Sequence, residues 1–409
     1  MMSQKGEIVA GLDVGTTKIC LLVGERTADD EIRVLGVGSQ PSSGLRKGEV
    51  VNVARTVESI QKTLTQAEDT CDLKIGSVYV GVTGAHVESY NSRAILPIVN
   101  PSAGVSQKDM AAAVAAASRV ALPSDREVIH VLVQEYSVDE RAGIIEPEGI
   151  QGTRLEANVH LVTARIPAID NIVSCVRQAG LDVAETVLQQ LASSLAVMRE
   201  EEQEAGVVLV DIGGGTTDYA FFRQSAVRHT RVLSVGGDHV TNDISLGMKL
   251  LIPQAEELKK KSAAALADLL GEDRELSPPS SLVRSGGGFS RRKLCRIVEL
   301  RMTEIFRLIR RDLEESGLFG NIGTGLVLTG GGALLREIDI LAERETGLPV
   351  RIGLPRGVCG LREVIDSPVY ATAVGLVRYG LKCGQTRSSL PTGSRRVFGG
   401  FRRWLDRYF

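Results

Sequence analysis

The chain has 409 residues, with 48 Lys and Arg against 50 Asp and Glu for a formal charge of −2. That length suits two or three domains rather than one, and the near-neutral balance excludes a chain that is basic throughout and built to coat nucleic acid, so no nucleic-acid partner is expected. A composition of 43% hydrophobic and 24% charged residues is globular, no apolar run reaches the ~18 residues of a membrane-spanning helix, and the six cysteines, at 20, 71, 175, 295, 359 and 383, form no C-x-x-C pair, so they read as reduced thiols of a cytosolic protein rather than as zinc ligands.

The chain opens with strand-like text and no signal peptide. Residues 7–14 and 17–24 are apolar, β-branched runs separated by Gly15 and Thr16, a strand–turn–strand signal. A helix is expected at 53–70 and a strand at 76–82. Residues 85–162 have a different grain and read as a small α+β insert. Ser106 with Asp109 resembles a capping box opening a helix at Met110–Val120, and strands at 127–138 and 154–166 flank a Gly/Pro loop. Pro167 opens an amphipathic helix carrying Ile169, Ile172, Val173 and Val176 at i, i+3, i+4, i+7, and Gly180 closes it. A second helical stretch is expected at 186–202.

Residues 206–222 return to the opening pattern. Asp13-Val-Gly-Thr-Thr-Lys18 and Asp211-Ile-Gly-Gly-Gly-Thr-Thr-Asp218 each follow an apolar strand and precede another, which suggests two related halves facing each other. The chemistry suits a triphosphate. In such turns the backbone N–H groups of Gly15, Thr16 and Thr17, and of Gly213, Gly214, Gly215, Thr216 and Thr217, can converge on an anion as a nest, and Lys18 supplies a point cation. Asp13 and Asp211 end their strands; two carboxylates beside phosphates imply Mg²⁺ between them, held through water. One copy alone reads equally well as a β-hairpin with a convenient Gly turn; the matched pair favours the phosphate reading. No G-x-x-x-x-G-K-[ST] and no strand-borne G-x-G-x-x-G occurs.

Gly236 and Gly237 precede a helix at about 239–250, with Asp238 as its N-cap; they border the nucleotide or form a simple turn. Residues 272–290 read as a mobile loop, 291–316 as a long helix, and Gly330, Gly331 and Gly332 as a Gly turn after the strand Leu326–Thr329. His130 and His160, in alternating strands, read as structural histidines.

Residues 385–394 form a polar linker. Five of the 16 aromatic residues, including the single Trp, then fall in the last 12 positions. Val397, Phe398, Phe401, Trp404, Leu405, Tyr408 and Phe409 share one face of a helix, and Arg395, Arg396, Arg402, Arg403 and Arg407 line the other. Such a segment lies in the plane of an anionic bilayer. Docking onto the body's own surface and a calmodulin-like peptide target are the alternatives. The linker's reach, under ~20 Å, holds the body close to the membrane.

The two Asp-x-Gly hairpins with the Thr-Gly-Gly-Gly turn resemble the phosphate-1, phosphate-2 and adenosine motifs of the actin/Hsp70/sugar-kinase superfamily, whose two α/β domains close over ATP. Ala184–Met198 and Ser367–Gly380 look like its two connecting helices. His130–Tyr136, Val159–Thr163, Leu191–Ser194, Arg228–Thr230 and Ala371–Leu376 sharpen the resemblance to the bacterial cell-division family FtsA, over nearly the whole chain. The resemblance implies an actin-like fold of two duplicated α/β domains around a nucleotide cleft. Subdomain 1A would take residues 1–84, 163–204 and 361–384; an inserted α+β subdomain 1C, 85–162; subdomain 2A, 205–227 and 301–360; and subdomain 2B, 228–300. It also implies a peripheral protein on the cytoplasmic side of the inner membrane at the septum, binding ATP and Mg²⁺. Such a protein forms filaments with itself, receives the FtsZ tail on subdomain 2B, tethers FtsZ to anionic lipids and recruits later division proteins. Where many relatives carry Glu-Pro, this chain has Gln189-Gln190; Gln189 either orients water as a weak catalytic group beside Asp13 and Asp211, so that ATPase activity is low, or only packs. A PilM-like pilus ATPase and a small-molecule kinase are the competing readings.

Overall fold

The computed structural model describes residues 7–269, 275–276 and 289–387. The expected 272–290 loop lies mostly outside them, as does the whole segment 388–409 with the residues expected to meet a membrane.

Two sheets organise the body, and they share one topology. In the first, Ile32–Pro41, Lys18–Arg26 and Ile8–Val14 run antiparallel, and Ser77–Val82 and Asp182–Leu188 then add in parallel. In the second, Ala226–Leu233, Thr217–Arg223 and Val207–Ile212 run antiparallel, and Gly325–Thr329 and Val350–Ile352 add in parallel. The parallel joins need crossovers, and helices supply them. The repeat read from two hairpins therefore extends to whole halves.

The strands are apolar runs because both faces are covered. Every residue of Val207–Ile212 is buried. Val208, Val210 and Ile212 pack with the second half's own helices, whereas Val207 and Leu209 belong to the core of the first half. Period-two alternation thus lets one strand serve two cores. Two central helices, Gln189–Val197 and Ala371–Arg387, lie between the sheets. They touch so closely that a Cβ on Gly375 would collide with the Ala192 carbonyl.

Helix boundaries follow capping chemistry. Asn52 Oδ1 accepts the Arg55 N–H at 3.0 Å and starts Val53–Cys71. Ser106 and Asp109 form the capping box, so that helix spans Gln107–Ala117, earlier than its apolar pattern suggested. The expected helix 186–202 is instead the end of strand Asp182–Leu188, then Gln189–Val197 and Glu200–Ala205. The last helix runs to Arg387, so residues 385–387 of the expected linker are helical.

The insert leaves the first half after Thr83 and returns at Arg165. Its antiparallel sheet has the order Glu88–Pro97, Arg154–Arg165, Arg126–Val138, Arg141–Ile144. Helix Gln107–Ala117 covers it through Met110, Ala113 and Val114 against Tyr136, Leu155 and Val159. The second half carries helices Gly237–Met248, Ile252–Ser262 and Arg291–Glu315. The last buries Leu294, Val298, Met302, Ile305, Ile309 and Leu313. Two boundaries differ from the expected division: strand Ala226–Leu233 belongs to the second sheet, and Val358–Cys359 pairs with the edge of the first.

The close contact of the central helices gives a direct test. Gly375→Ala is expected to cost about 1–3 kcal/mol in urea unfolding, because the added methyl has no space. Gly320→Ala, where an added Cβ meets nothing within 4 Å, is expected to stay within about 0.5 kcal/mol.

Candidate functional site: a cleft between two matched hairpins

The first hairpin closes at the pair Val14↔Ile19 and the second at Ile212↔Thr217. Each turn therefore holds four residues, Gly15–Lys18 and Gly213–Thr216. Each is fastened alike: Gly15 N–H donates to Lys18 O at 3.0 Å, and Gly213 N–H to Thr216 O at 2.9 Å. This register corrects the match made from sequence. Lys18 corresponds to Thr216, and Thr217 corresponds to Ile19 as the first residue paired across its hairpin. The fully buried Thr217 donates its hydroxyl to Val235 O at 2.8 Å and does not line the cleft.

The two turns meet. A Cβ on Gly214 would collide with the Thr17 side chain, and one on Gly215 with Thr16. Only glycine lets the second turn approach the first this closely. Gly330, at φ 79°, packs against Asp211 and Ile212, and Gly332 against Ile212, so the third Gly turn leans on the second hairpin. Gly236 packs behind that hairpin, where a Cβ would meet the carbonyls of Gly213, Gly214 and Thr216. Gly237 N–H donates to Gly213 O at 2.9 Å and Asp238 N–H to Gly214 O at 2.8 Å. The N-cap of that helix is Gly236 rather than Asp238, and Gly236 N–H donates to His239 Nδ1 at 3.2 Å.

Around these turns lies a cleft of about 740 Å³. It brings together Asp13, Gly15, Thr16, Thr17, Lys18, Gln189, Asp211, Gly213, Gly214, Gly215, Thr216, Gly237, Gly330, Gly331 and Gly332. Gly236 stays behind the wall. Sequence reasoning missed Asp218, Thr83, Thr372, Glu256, Lys259, Met302 and Arg336, which also line it. Asp218 stood within the quoted motif, and its signal was register: it pairs with Asp211 across the hairpin, where Cys20 pairs with Asp13. Cross-strand partners share a face, so the second hairpin presents two carboxylates. The others come from helices and loops that only the tertiary fold brings near.

Three carboxylates are thus buried in one place. Asp13 Oδ1 accepts from Gln189 Nε2 at 3.0 Å. Asp211 Oδ2 accepts from Ser193 Oγ at 2.6 Å and Thr372 Oγ1 at 3.2 Å. Asp218 accepts from Thr83 Oγ1 and from Thr216 Oγ1. Hydroxyl and amide donors are weaker compensation than a charge. Burial accordingly pushes Asp13 up to about 6, although Lys18 opposes the shift, and Asp218 up to about 7; Asp211 is also raised by burial. Lys18, the cation read as a phosphate ligand, donates to Val369 O at 2.7 Å and lies over the Tyr370 ring at 4.8 Å. Across the cleft Lys259 donates to Gly237 O at 3.0 Å and pairs with Glu256 at 2.7 Å.

The arrangement fits a divalent cation with an anionic ligand. The carboxylates offer hard oxygen atoms of the kind Mg²⁺ takes, and their hydrogen-bond partners are hydroxyls and an amide rather than cations. His130 and His160 are bonded structural residues: His130 Nε2 accepts from Leu188 N–H at 3.0 Å, and His160 bridges Asn91 and Thr230. Glu299 accepts from Arg344 at 2.9 Å and Arg296 at 3.0 Å, and Arg301 pairs with Asp243 at 2.6 Å.

The raised carboxylates set the sign of a pH effect. A carboxyl whose folded pKa exceeds its unfolded value holds extra protons when folded, so its stability contribution is lost as pH rises from about 4 to about 7. Asp218→Asn removes that loss. Its gain in thermal stability over wild type, without ligand or divalent cation, is expected to be on the order of 1–3 kcal/mol at pH 8 and near zero at pH 4.

Comparison with known proteins then places the chain. A family model described as "Cell division protein FtsA" matches residues 208–375, and one described as "SHS2 domain inserted in FTSA" matches 84–163. Cell division protein FtsA of Pseudomonas aeruginosa is 44% identical over 93% of this chain and 90% of its own length. That of Neisseria meningitidis serogroup B is 34% identical over 100% of both, and that of Escherichia coli K12 is 37% identical over 91% and 90%. Among solved structures, a PilM–PilN type IV pilus biogenesis complex aligns at TM-score 0.67 with 19% identity, covering 91% of this chain and 98% of the other. MreB5 of Spiroplasma citri bound to ADP aligns at 0.57 with 14% identity, covering 94% and 99%. These structures share the fold. With relatives 34–44% identical along nearly their whole length, the chain belongs to the FtsA family of cell-division proteins and has their actin-like ATPase fold.

Proposed function

We propose that this protein binds ATP with Mg²⁺ between its two hairpins, assembles into filaments on the cytoplasmic face of the inner membrane at the septum, tethers FtsZ there and recruits later division proteins. The observation that carries the nucleotide part is the matched pair of four-residue turns beside three buried carboxylates in one cleft. The turns Gly15–Lys18 and Gly213–Thr216 would take the phosphates. Asp13 and Asp211 would hold Mg²⁺ through water, and the cation would supply the positive charge that both carboxylates and phosphates need. Gly330, Gly331 and Gly332, with Met302 and Arg336, border the nucleoside side. An MreB5 structure bound to ADP, with the same fold, supports this reading.

Gln189 reaches the reacting region, because its amide nitrogen binds Asp13. An amide orients a water but is a poor base, so turnover is expected to be slow and ATP to act mainly as an assembly ligand. The FtsZ tail would dock on the helical part of the second half, where Leu246, Leu251, Ile252 and Leu300 are exposed. Exposed leucines beside Arg and Lys suit an apolar, acidic peptide. The membrane part rests on the sequence of residues 395–409; among the described residues no helix is long and apolar enough to cross a membrane. Identity favours this reading over a PilM-like pilus role, since the PilM neighbour shares 19% and the division proteins 34–44%.

Two experiments test the parts separately. Asp13→Ala and Asp211→Ala are expected to raise the Kd for Mg²⁺-ATP about tenfold or more, about 1.4 kcal/mol each; unchanged affinity contradicts the hairpin site. The full chain is expected to sediment with vesicles of anionic lipid and a chain ending at Ser394 to remain in solution. Binding that survives truncation refutes the anchor.

A further inference from the structure

The insert belongs to the first half by chain connection, yet it is fastened to the second half. At its entry, Thr83 Oγ1 donates to Asp218 in the cleft. Farther out, its sheet lies on strand Ala226–Leu233, the edge of the second sheet. Ser89 Oγ donates to Thr230 O at 2.7 Å. His160 Nδ1 faces Asn91 Oδ1 at 2.7 Å, a pure acceptor, so this nitrogen carries the proton and Nε2 accepts the Thr230 hydroxyl at 2.9 Å. Gln134 Nε2 donates to Val227 O at 2.9 Å and Arg228 O at 3.2 Å, and Arg228 pairs with Glu135 at 2.9 Å.

The strand that receives these bonds is in register with the one that carries Asp218: Asp218 pairs with Val232, and Ala220 with Thr230. One antiparallel ribbon therefore has a phosphate-site carboxylate at one end and the insert's docking groups along its edge. A second connection reaches the other hairpin. Gly48 N–H donates to Thr16 Oγ1 at 3.1 Å, and the adjacent Glu49 pairs with Arg165, the insert's exit residue, at 2.6 Å. Gly48 also packs on Thr83 and Gly84, where a Cβ would meet the Thr83 carbonyl. Both hairpins are thus tied to the two chain segments from which the insert hangs.

We propose that the insert is a lever set by the occupant of the cleft: with the hairpins drawn together it is clamped to strand Ala226–Leu233, and when they part it is released. This rests on the cleft being an ATP site. Opening the cleft separates the halves, and the insert cannot stay bonded to both without turning about Thr83–Gly84 and Arg165. The bonds at stake are hydrogen bonds and one ion pair, beside apolar packing in which Leu132 and Val162 share a cluster with Phe222 and Val227; the polar bonds break and re-form more readily than a fully apolar core. ATP binding and insert position are then coupled, and coupling is reciprocal: what loosens the clamp weakens ATP by the same factor that ATP tightens the clamp.

Gln134 and Arg228 do not line the cleft, so they allow the reciprocity to be read. Gln134→Ala and Arg228→Ala are each expected to raise the Kd for Mg²⁺-ATP about fivefold or more, at the lower end of ordinary coupling, and Arg228→Lys to restore part of it. In the wild-type chain, Mg²⁺-ATP is expected to slow hydrogen exchange across 126–138 and 226–233. A variant that lowers the unfolding midpoint while leaving the Kd unchanged shows a merely structural contact and overturns the lever. So does wild-type exchange that ignores bound nucleotide. If the wild-type chain binds no ATP, the nucleotide reading itself falls, and the lever with it.

Discussion

Three carboxylates held out of water in one cleft are the constraint around which the rest of the structure is arranged. Asp13, Asp211 and Asp218 are each less than a tenth exposed. Burying charge is costly unless it is paired, and here the direct partners are hydroxyls and an amide. Burial consequently raises all three, Asp218 to about 7. A site left in that condition stores a demand for a cation. The hairpin turns beside it offer close backbone approach for an anion, and a metal–phosphate ligand satisfies both at once.

The close approach of the hairpins explains the glycines. Gly214 and Gly215 have no room for a side chain because Thr16 and Thr17 stand against them, and Gly330 and Gly332 have none because the second hairpin stands behind them. The same economy of space recurs at the centre, where Gly375 lies on Ala192 and Gly11 on the helix Ala371–Arg387. Two sheets that share a five-strand topology are thereby packed close enough for one cleft to be lined from both. The insert, hung between the end of strand Ser77–Val82 and the start of helix Ile166–Gln178, rests on the edge of the second sheet.

Much of this was legible in the residues. Paired Asp-x-Gly hairpins announced the duplication because strand, turn and strand are all local in sequence. Their register was not legible: Thr-Thr occurs in both motifs, but the two extra glycines of the second shift it by two positions, and only the ladder of hydrogen bonds shows Thr217 to be a strand residue. The end of strand Asp182–Leu188, residues 186–188, falls inside the helix expected at 186–202 because it flows without a turn residue into Gln189–Val197, and the following stretch is rich in good helix formers. Thr83, Lys259 and Arg336 carry no motif at all. They reach the cleft through contacts between residues far apart in the chain, which no single-sequence pattern records.

The central claim is that the two hairpins with their buried carboxylates form one site for a nucleotide and its cation. Calorimetric titration of the full chain with ATP at pH 8, with and without Mg²⁺, tests it most directly. The account predicts saturable binding of one ATP per chain, weakened about tenfold or more when Mg²⁺ is withheld. Absence of binding, or equal affinity in both conditions, contradicts it.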